Sequence, residues 1–272
     1  MIRILSILVG LFFSLSLLWS FGNGAATVMS EGQLKPATAE HEFHKHPRAL
    51  HLSSDGMFGR FDNQQLQRGF QVYQEVCSAC HALSHVAYRD LEHIGYSEAE
   101  VKAIAAAAQI PAYNKATGEV VTSPGLPTDK FPPVAYAGQG APPDLSLITK
   151  ARHNGPAYVY SLLTGYAEQP AELLKHFPDA KTPEGLHYNP YFANLNLAMA
   201  PPLTSEGQVS YGDGTKASVD QMAQDVSAFL VWTAEPKLDK RRQTGWPVLG
   251  FLLFATVLAY LAYRNVWADK KH

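Results

Sequence analysis

Cys77-Ser78-Ala79-Cys80-His81 reads C-x-x-C-H. At that spacing two thiols can add to the two vinyl groups of a porphyrin, and the imidazole that follows comes under the iron as its proximal ligand. Cys77 and Cys80 are the only cysteines in the chain. A disulfide framework needs more of them and a smaller core. A tetrahedral zinc site needs two further ligands at suitable spacing, and no second cysteine pair exists. A thioredoxin-like dithiol does not need His81 and sits in a βαβ pattern, which the sequence lacks. Covalent haem is therefore the leading reading of the motif.

His81 supplies one face of the iron, and an electron carrier needs a second, neutral donor on the other face. Five methionines are available. Met1 is terminal, Met29 lies beside an apolar run, and Met57 has polar surroundings. Met222 belongs to a helical apolar stripe and is accounted for by packing. Met199 sits in Asn196-Leu197-Ala198-Met199-Ala200-Pro201-Pro202, where stiff prolines could hold a thioether in place. A Met ligand raises the reduction potential relative to a second imidazole. His153 and His187 stay open as rivals. Two haem propionates also need partners. Arg152 can hold a carboxylate bidentately, although a solvated surface arginine is the ordinary alternative.

The elements that must position these residues are mainly helical. Leu66, Phe70, Tyr73 and Val76 recur at three- and four-residue intervals, which predicts a helix over Asn63–Val76 that feeds into Cys77. Asp62 or Asn63 can cap it. Ser97 and Glu100 form a capping box for a second helix over Ser97–Ala108, which Pro111 stops. A third covers Pro156–Leu163 and a fourth Asp220–Trp232, where Met222, Val226, Phe229 and Leu230 share a face. Pro124–Pro143 and Ala198–Gly214 read as long irregular stretches, which a porphyrin could organise as a shared apolar body. No convincing strand series is visible. The His41–His46 run reads as a solvated connector before a metal site.

Both ends are apolar. Ile4–Phe21 follows a single Arg3 and precedes small residues, so residues 1–26 read as a secretory signal or an N-terminal anchor. Trp246–Tyr263, extended back to Thr244, is long enough to cross about 30 Å of hydrocarbon. Aromatic residues lie near both its ends. Between Ser30 and Pro236 there are 22 acidic and 14 basic residues, a formal charge of −8. Such a body argues against nucleic acid and suits a basic protein partner. Basic residues flank the second run on both sides, so charge does not orient it. The haem motif places the body outside and the tail inside.

Several segments together resemble the cytochrome c1 family. They are Arg68-Gly69-Phe70-Gln71-Val72-Tyr73, the haem motif, Ala87-Tyr88-Arg89, Pro142-Pro143-Asp144-Leu145-Ser146 and Ala151-Arg152-His153. Further on come Ser161-Leu162-Leu163-Thr164-Gly165-Tyr166, Asn189-Pro190-Tyr191-Phe192, Met199-Ala200-Pro201-Pro202, Phe229-Leu230 and Ala234-Glu235-Pro236. The resemblance runs from about Arg68 to Ala268.

It implies a mainly α cytochrome c fold with long loop insertions and one C-terminal transmembrane helix. The implied domains are a periplasmic cytochrome c domain over 27–240, a span over 244–264 and a cytoplasmic tail over 265–272. One haem c would be attached covalently at Cys77 and Cys80, with His81 and Met199 as axial ligands. Arg152 and Tyr158 would meet propionates, and Pro143 would pack on the haem. Some bacterial members carry an extra disulfide, for which this chain has no cysteines. The implied partners are cytochrome b, the Rieske iron–sulfur protein, a c-type cytochrome acceptor and the bacterial inner membrane, within a dimeric bc1 complex. The chain itself would carry electrons without acid–base or nucleophilic catalysis. A terminal-oxidase haem subunit, a haem peroxidase and a haem sensor are the alternatives from other classes.

Overall fold

The computed structural model describes residues 2–31, 38–113, 117–134, 136 and 140–270. Residues 271–272, at the end of the expected tail, lie outside that set, as do 135 and 137–139 of the Pro124–Pro143 stretch. The chain divides into two units, the smaller made of residues 1–44 with 170–181 and the larger of 45–169 with 182–272.

In the smaller unit the N-terminal apolar run is one helix, α1 (Ile2–Glu31). It is long and apolar enough to cross a membrane, a property signal sequences share. Helix α2 (Ala39–Phe43) is capped by Thr38, whose hydroxyl accepts from the His41 N–H at 3.3 Å. The Phe43 ring meets Phe177 edge-on at 6.4 Å.

The larger unit is built on two crossing helices. Helix α3 (Asn63–Val72) starts at Asp62, whose carboxylate accepts from the N–H groups of Gln64 and Gln65. It buries Leu66, Gly69, Phe70 and Val72. In chain order follow α4 (Glu98–Ala107), with the Ser97–Glu100 capping box in place, the single turn α5 (Ile148–Ala151) and α6 (Gly155–Leu163) with Pro156 in its first turn. The smaller unit contributes α7 (Ala171–His176). Helix α8 (Val219–Ala234) opens on Ser218, whose Oγ accepts from the Gln221 N–H at 3.1 Å.

Gly69 lets α3 and α8 meet. A Cβ there would lie 2.1 Å from the Asp225 carbonyl oxygen and 2.7 Å from the Phe229 Cβ. Around the crossing Phe70 packs on Phe229 at 5.6 Å and on Phe131 at 6.1 Å, and Phe229 stacks on Trp232 at 5.5 Å. Offset and edge-on pairs of this kind add to the burial of large apolar area. One polar bolt crosses the same interface. The fully buried Asp225 carboxylate accepts from Arg68 Nε at 2.9 Å, from Gln65 at 3.2 Å and from Gln221 at 2.9 Å. Arg68 reaches Asp213 at 2.7 Å with its other arm.

The final helix, α9 (Leu238–Trp267), is a continuous 30 residues. It begins six residues before the expected Thr244, because the charged Leu238–Gln243 stretch continues the helix ahead of the apolar run. Pro247 therefore lies inside it rather than in its first turn, and removes one backbone hydrogen bond there.

The structure also holds two short antiparallel pairs that periodicity did not predict. β1 (Gln109–Tyr113) pairs with β2 (Val120–Pro124), and β3 (His187–Tyr188) with β4 (Asn196–Leu197). The first carries Pro111 and is largely exposed. The second is two residues long, too short for an alternation to show.

Candidate functional site

The motif follows directly from α3. A π-helical segment, Tyr73–Cys77, continues that helix, with the Ser78 N–H donating five residues back to the Tyr73 carbonyl at 2.8 Å. Turns of this kind inside helices recur at functional sites. The Cys80 and His81 N–H groups then both donate to the Cys77 carbonyl, at 3.1 and 2.9 Å. The buried Tyr73 hydroxyl donates to the His81 carbonyl at 2.9 Å, so the core grips the motif from below. No disulfide joins Cys77 and Cys80.

His81 is oriented from across the sequence. Its Nδ1 lies 2.7 Å from the carbonyl oxygen of Pro143. A carbonyl can only accept, so Nδ1 carries the proton and Nε2 keeps the lone pair that a metal needs. The Pro143 segment is itself pinned to the motif. Asp144 accepts from the Ser84 and Ser146 N–H groups, both at 2.8 Å. The Leu145 N–H donates to the Ala82 carbonyl at 3.0 Å, and the Ser146 hydroxyl accepts from the His85 N–H at 3.1 Å.

Burial pushes the Asp144 carboxyl up, but the bonds from Ser146 and Ser84 outweigh it and hold the group below its ordinary 3.8. A depressed carboxyl stabilises the fold above its unfolded-state value and loses that contribution as pH falls through the lower folded-state value. Asp144→Ala is therefore expected to cost about 1 kcal/mol near neutral pH, the two bonds being discounted for solvent exposure. The difference from wild type should close below pH 3.8. Denaturant melts at several pH values check this, and a difference independent of pH would count against the role of the carboxylate.

A second group of side chains gathers after α5. Arg152 is exposed, with Nη1 3.3 Å from the Ala151 carbonyl. It lies close to the half-buried Tyr158: burial raises the phenol, and the Arg152 charge pulls it partly back. Tyr166 in turn feels Tyr158, and its hydroxyl donates to the Met199 carbonyl at 2.9 Å. The backbone of the half-buried Met199 is thus tied to Tyr166, which lies within electrostatic reach of Tyr158 and, through it, of Arg152. Among the described residues, Asn154 and Leu195 alone have positive φ without being glycine, at 62° and 66°. They sit two residues after Arg152 and four before Met199. Left-handed backbone at ordinary residues costs energy and concentrates at functional sites.

Cys77, Cys80, His81 and Pro143 are thus brought together directly. Arg152, Tyr158 and Met199 form the second group. Both groups stand on one core, since Val76, Cys77, Leu145 and Tyr158 all pack against it. The rival His153 is exposed, and His187 sits in β3 with its ring edge-on to Tyr166 at 6.4 Å. Sequence alone assigns no site role to Tyr73, Asp144 or Tyr166. Their contacts join residues 8, 60 and 33 positions apart, and only chain folding reveals those.

The donor set suits a porphyrin better than the alternatives. Among the described residues, no three His, Cys, Asp or Glu side chains gather as a metal site, so the zinc reading has no further ligands. Burial, with Cys80 close by, pushes the Cys77 thiol up to about 12. That is the reverse of what an attacking redox thiolate needs.

The Cytochrome C1 family model matches residues 52–270. The chain belongs to the cytochrome c1 family. It is 44% identical over 234 residues to cytochrome c1 of Rhodospirillum rubrum, covering 80% of this chain and 86% of that one. It is also 44% identical over 226 residues to the mitochondrial "Cytochrome c1 1, heme protein" of Arabidopsis thaliana, covering 80% and 71%. A third relative, at 40% over 242 residues, is the mitochondrial "Cytochrome b-c1 complex catalytic subunit" of Candida albicans, covering 86% and 81%. The mainly helical fold expected of a cytochrome c1, with its long apolar C-terminal helix, is what the structure has.

Proposed function

We propose that this chain is the haem-carrying electron-transfer subunit of a bacterial quinol–cytochrome c oxidoreductase. The observation that carries the reading is the His81 Nδ1–Pro143 carbonyl contact at 2.7 Å. It leaves Nε2 as the free donor directly after two unpaired thiols. Cys77 and Cys80 would hold one haem c by thioether bonds, and His81 and Met199 would supply donors to its iron. When bound, the haem supplies a one-electron couple. Arg152 and Tyr158 offer a guanidinium and a phenol to the propionates, the first bidentately. Pro143 orients His81 through its carbonyl and can also lie against the porphyrin. None of these groups has to move a proton, so the chain acts as a carrier and not as a catalyst by itself.

In this reading the subunit takes one electron from the Rieske iron–sulfur protein and gives it to a c-type cytochrome. It sits beside cytochrome b in a dimeric bc1 complex. Residues 27–240 form the periplasmic domain, 244–264 cross the bacterial inner membrane, and 265–272 lie in the cytoplasm. Residues 1–26 serve as signal or anchor. The two apolar helices and the family support this placement.

The test is isolation of the tagged chain in mild detergent. Cytochrome b and a Rieske protein should accompany it, whereas a terminal-oxidase subunit in their place would favour the alternative carrier. In the isolated complex, electron transfer to a basic acceptor cytochrome should slow as ionic strength rises, because screening weakens steering by the acidic body. A rate indifferent to salt would remove the steering claim.

A further inference from the structure

We propose that the turn Asp55–Gly59 is a membrane-interface wedge, with Met57 and Phe58 seated among lipid headgroups beside Trp246. The inference rests on the reading that α9 spans the membrane. Met57 and Phe58 are 64% and 77% exposed. Single exposed apolar residues are ordinary, but these two cap a turn that is held rigidly. The Asp55 carboxylate accepts from the Leu52 N–H at 2.8 Å, and the Arg60 N–H donates to the Ser53 carbonyl at 2.9 Å. Gly56 is left-handed at φ +71°, and a Cβ on Gly59 would lie 2.0 Å from the Asp55 carbonyl oxygen. The turn therefore cannot fold its apolar tip away from water.

The same turn is bolted to the start of α9 at three points. Arg242 Nη1 donates to the Ser54 and Gly59 carbonyls, at 2.9 and 2.5 Å. The Phe61 N–H donates to the Asp239 carboxylate at 3.3 Å. The Phe58 ring stacks on Trp246, with centroids 5.2 Å apart and planes 16° from parallel. These contacts fix the height of Phe58 along the helix. From Trp246 to Tyr263 the apolar run rises about 27 Å at about 1.5 Å per residue, close to the hydrocarbon thickness. Trp246 thus stands at the water–lipid boundary, where tryptophan is enriched, and Phe58 stands level with it. Arg60 and Lys240, both exposed, add positive charge at headgroup height, which suits anionic lipid. The occupant is the lipid surface. A second point of attachment beside α9 would limit how far the larger unit can tilt over the bilayer.

Cysteine-directed nitroxide labelling tests this in the full holo-complex, embedded in nanodiscs of mixed zwitterionic and anionic phospholipid. Haem attachment consumes this chain's own thiols, so Met57→Cys, Glu98→Cys and Leu252→Cys each give it one labelling site, with unsubstituted complex as the background for labels on other subunits. Position 98 reports water and position 252 the bilayer interior. The label at 57 should be relaxed more by oxygen than by an aqueous nickel chelate, between the two references. Nickel accessibility equal to that at 98 would sink the wedge while the span stands. Protection from both reagents would mean that a protein subunit covers the turn, which also overturns the proposal. Water-like behaviour at 252 would remove the span itself, and the wedge with it.

Discussion

The Met199→Ala protein is expected to keep its haem and lose much of its reduction potential. A thioether stabilises ferrous iron relative to an imidazole or water ligand, and axial ligation spreads haem potentials over about 0.8 V. Loss of this ligand should lower the potential by on the order of 0.1–0.3 V. Met199 has the structural setting for the role. Its carbonyl is fixed by Tyr166, two prolines follow, and the left-handed Leu195 shapes the approach. Met222 is fully buried in α8, and Met57 belongs to the exposed turn that meets the start of α9. A redox titration reads the effect directly, with loss of the weak near-infrared sulfur-to-iron band as a second signature. Carbon monoxide should bind the reduced variant and not the wild type. An unchanged potential would move the ligand elsewhere, with His187 next in line.

Arg68→Ala should be the most damaging change outside the proposed haem ligands. Asp225 has no solvent-exposed side-chain area, and Arg68 is its sole cationic partner among the described residues. Desolvation works against the Arg68 charge, yet the hydrogen bonds to Asp225 and Asp213 raise its pKa overall. Truncation leaves a carboxylate buried between α3 and α8 with no cation beside it among the described residues, although the Gln65 and Gln221 amides still donate to it. Breaking a buried pair in this way costs about 3–5 kcal/mol. Because α3 runs directly into the motif, the loss should show as low haem incorporation as well as a lower unfolding midpoint. Replacing Asp225 by Asn together with Arg68 by Met removes both charges and should recover part of the loss. If the single variant melts like wild type, the bolt has no structural weight.

Much of this organisation could be read before folding, and the physical reason differs from element to element. The stripe of Leu66 and Phe70 and that of Met222, Val226, Phe229 and Leu230 are buried as their spacing predicts. The Ser97–Glu100 box and the Asp62 cap are local hydrogen bonds, so their residues announce them. The π turn at Tyr73–Cys77 has no such local signature, because the bond five residues back depends on how Tyr73 is held in the core. The Pro143 carbonyl on His81 spans 62 positions and involves backbone, which carries no residue code. The link from Met199 toward Tyr158 and Arg152 runs through Tyr166, which by sequence is one tyrosine among thirteen. The pair β1–β2 crosses a proline, and the early start of α9 follows charged residues that form helix as readily as they form linker.

The claim at the centre is covalent attachment of a porphyrin to the two thiols of the C-x-x-C-H motif. The mature polypeptide, unfolded and extracted with acidified acetone, should stay coloured and weigh one haem more than its amino acids. Fragmentation should place that mass on the peptide carrying Cys77 and Cys80. A colourless chain at its bare polypeptide mass would contradict the account.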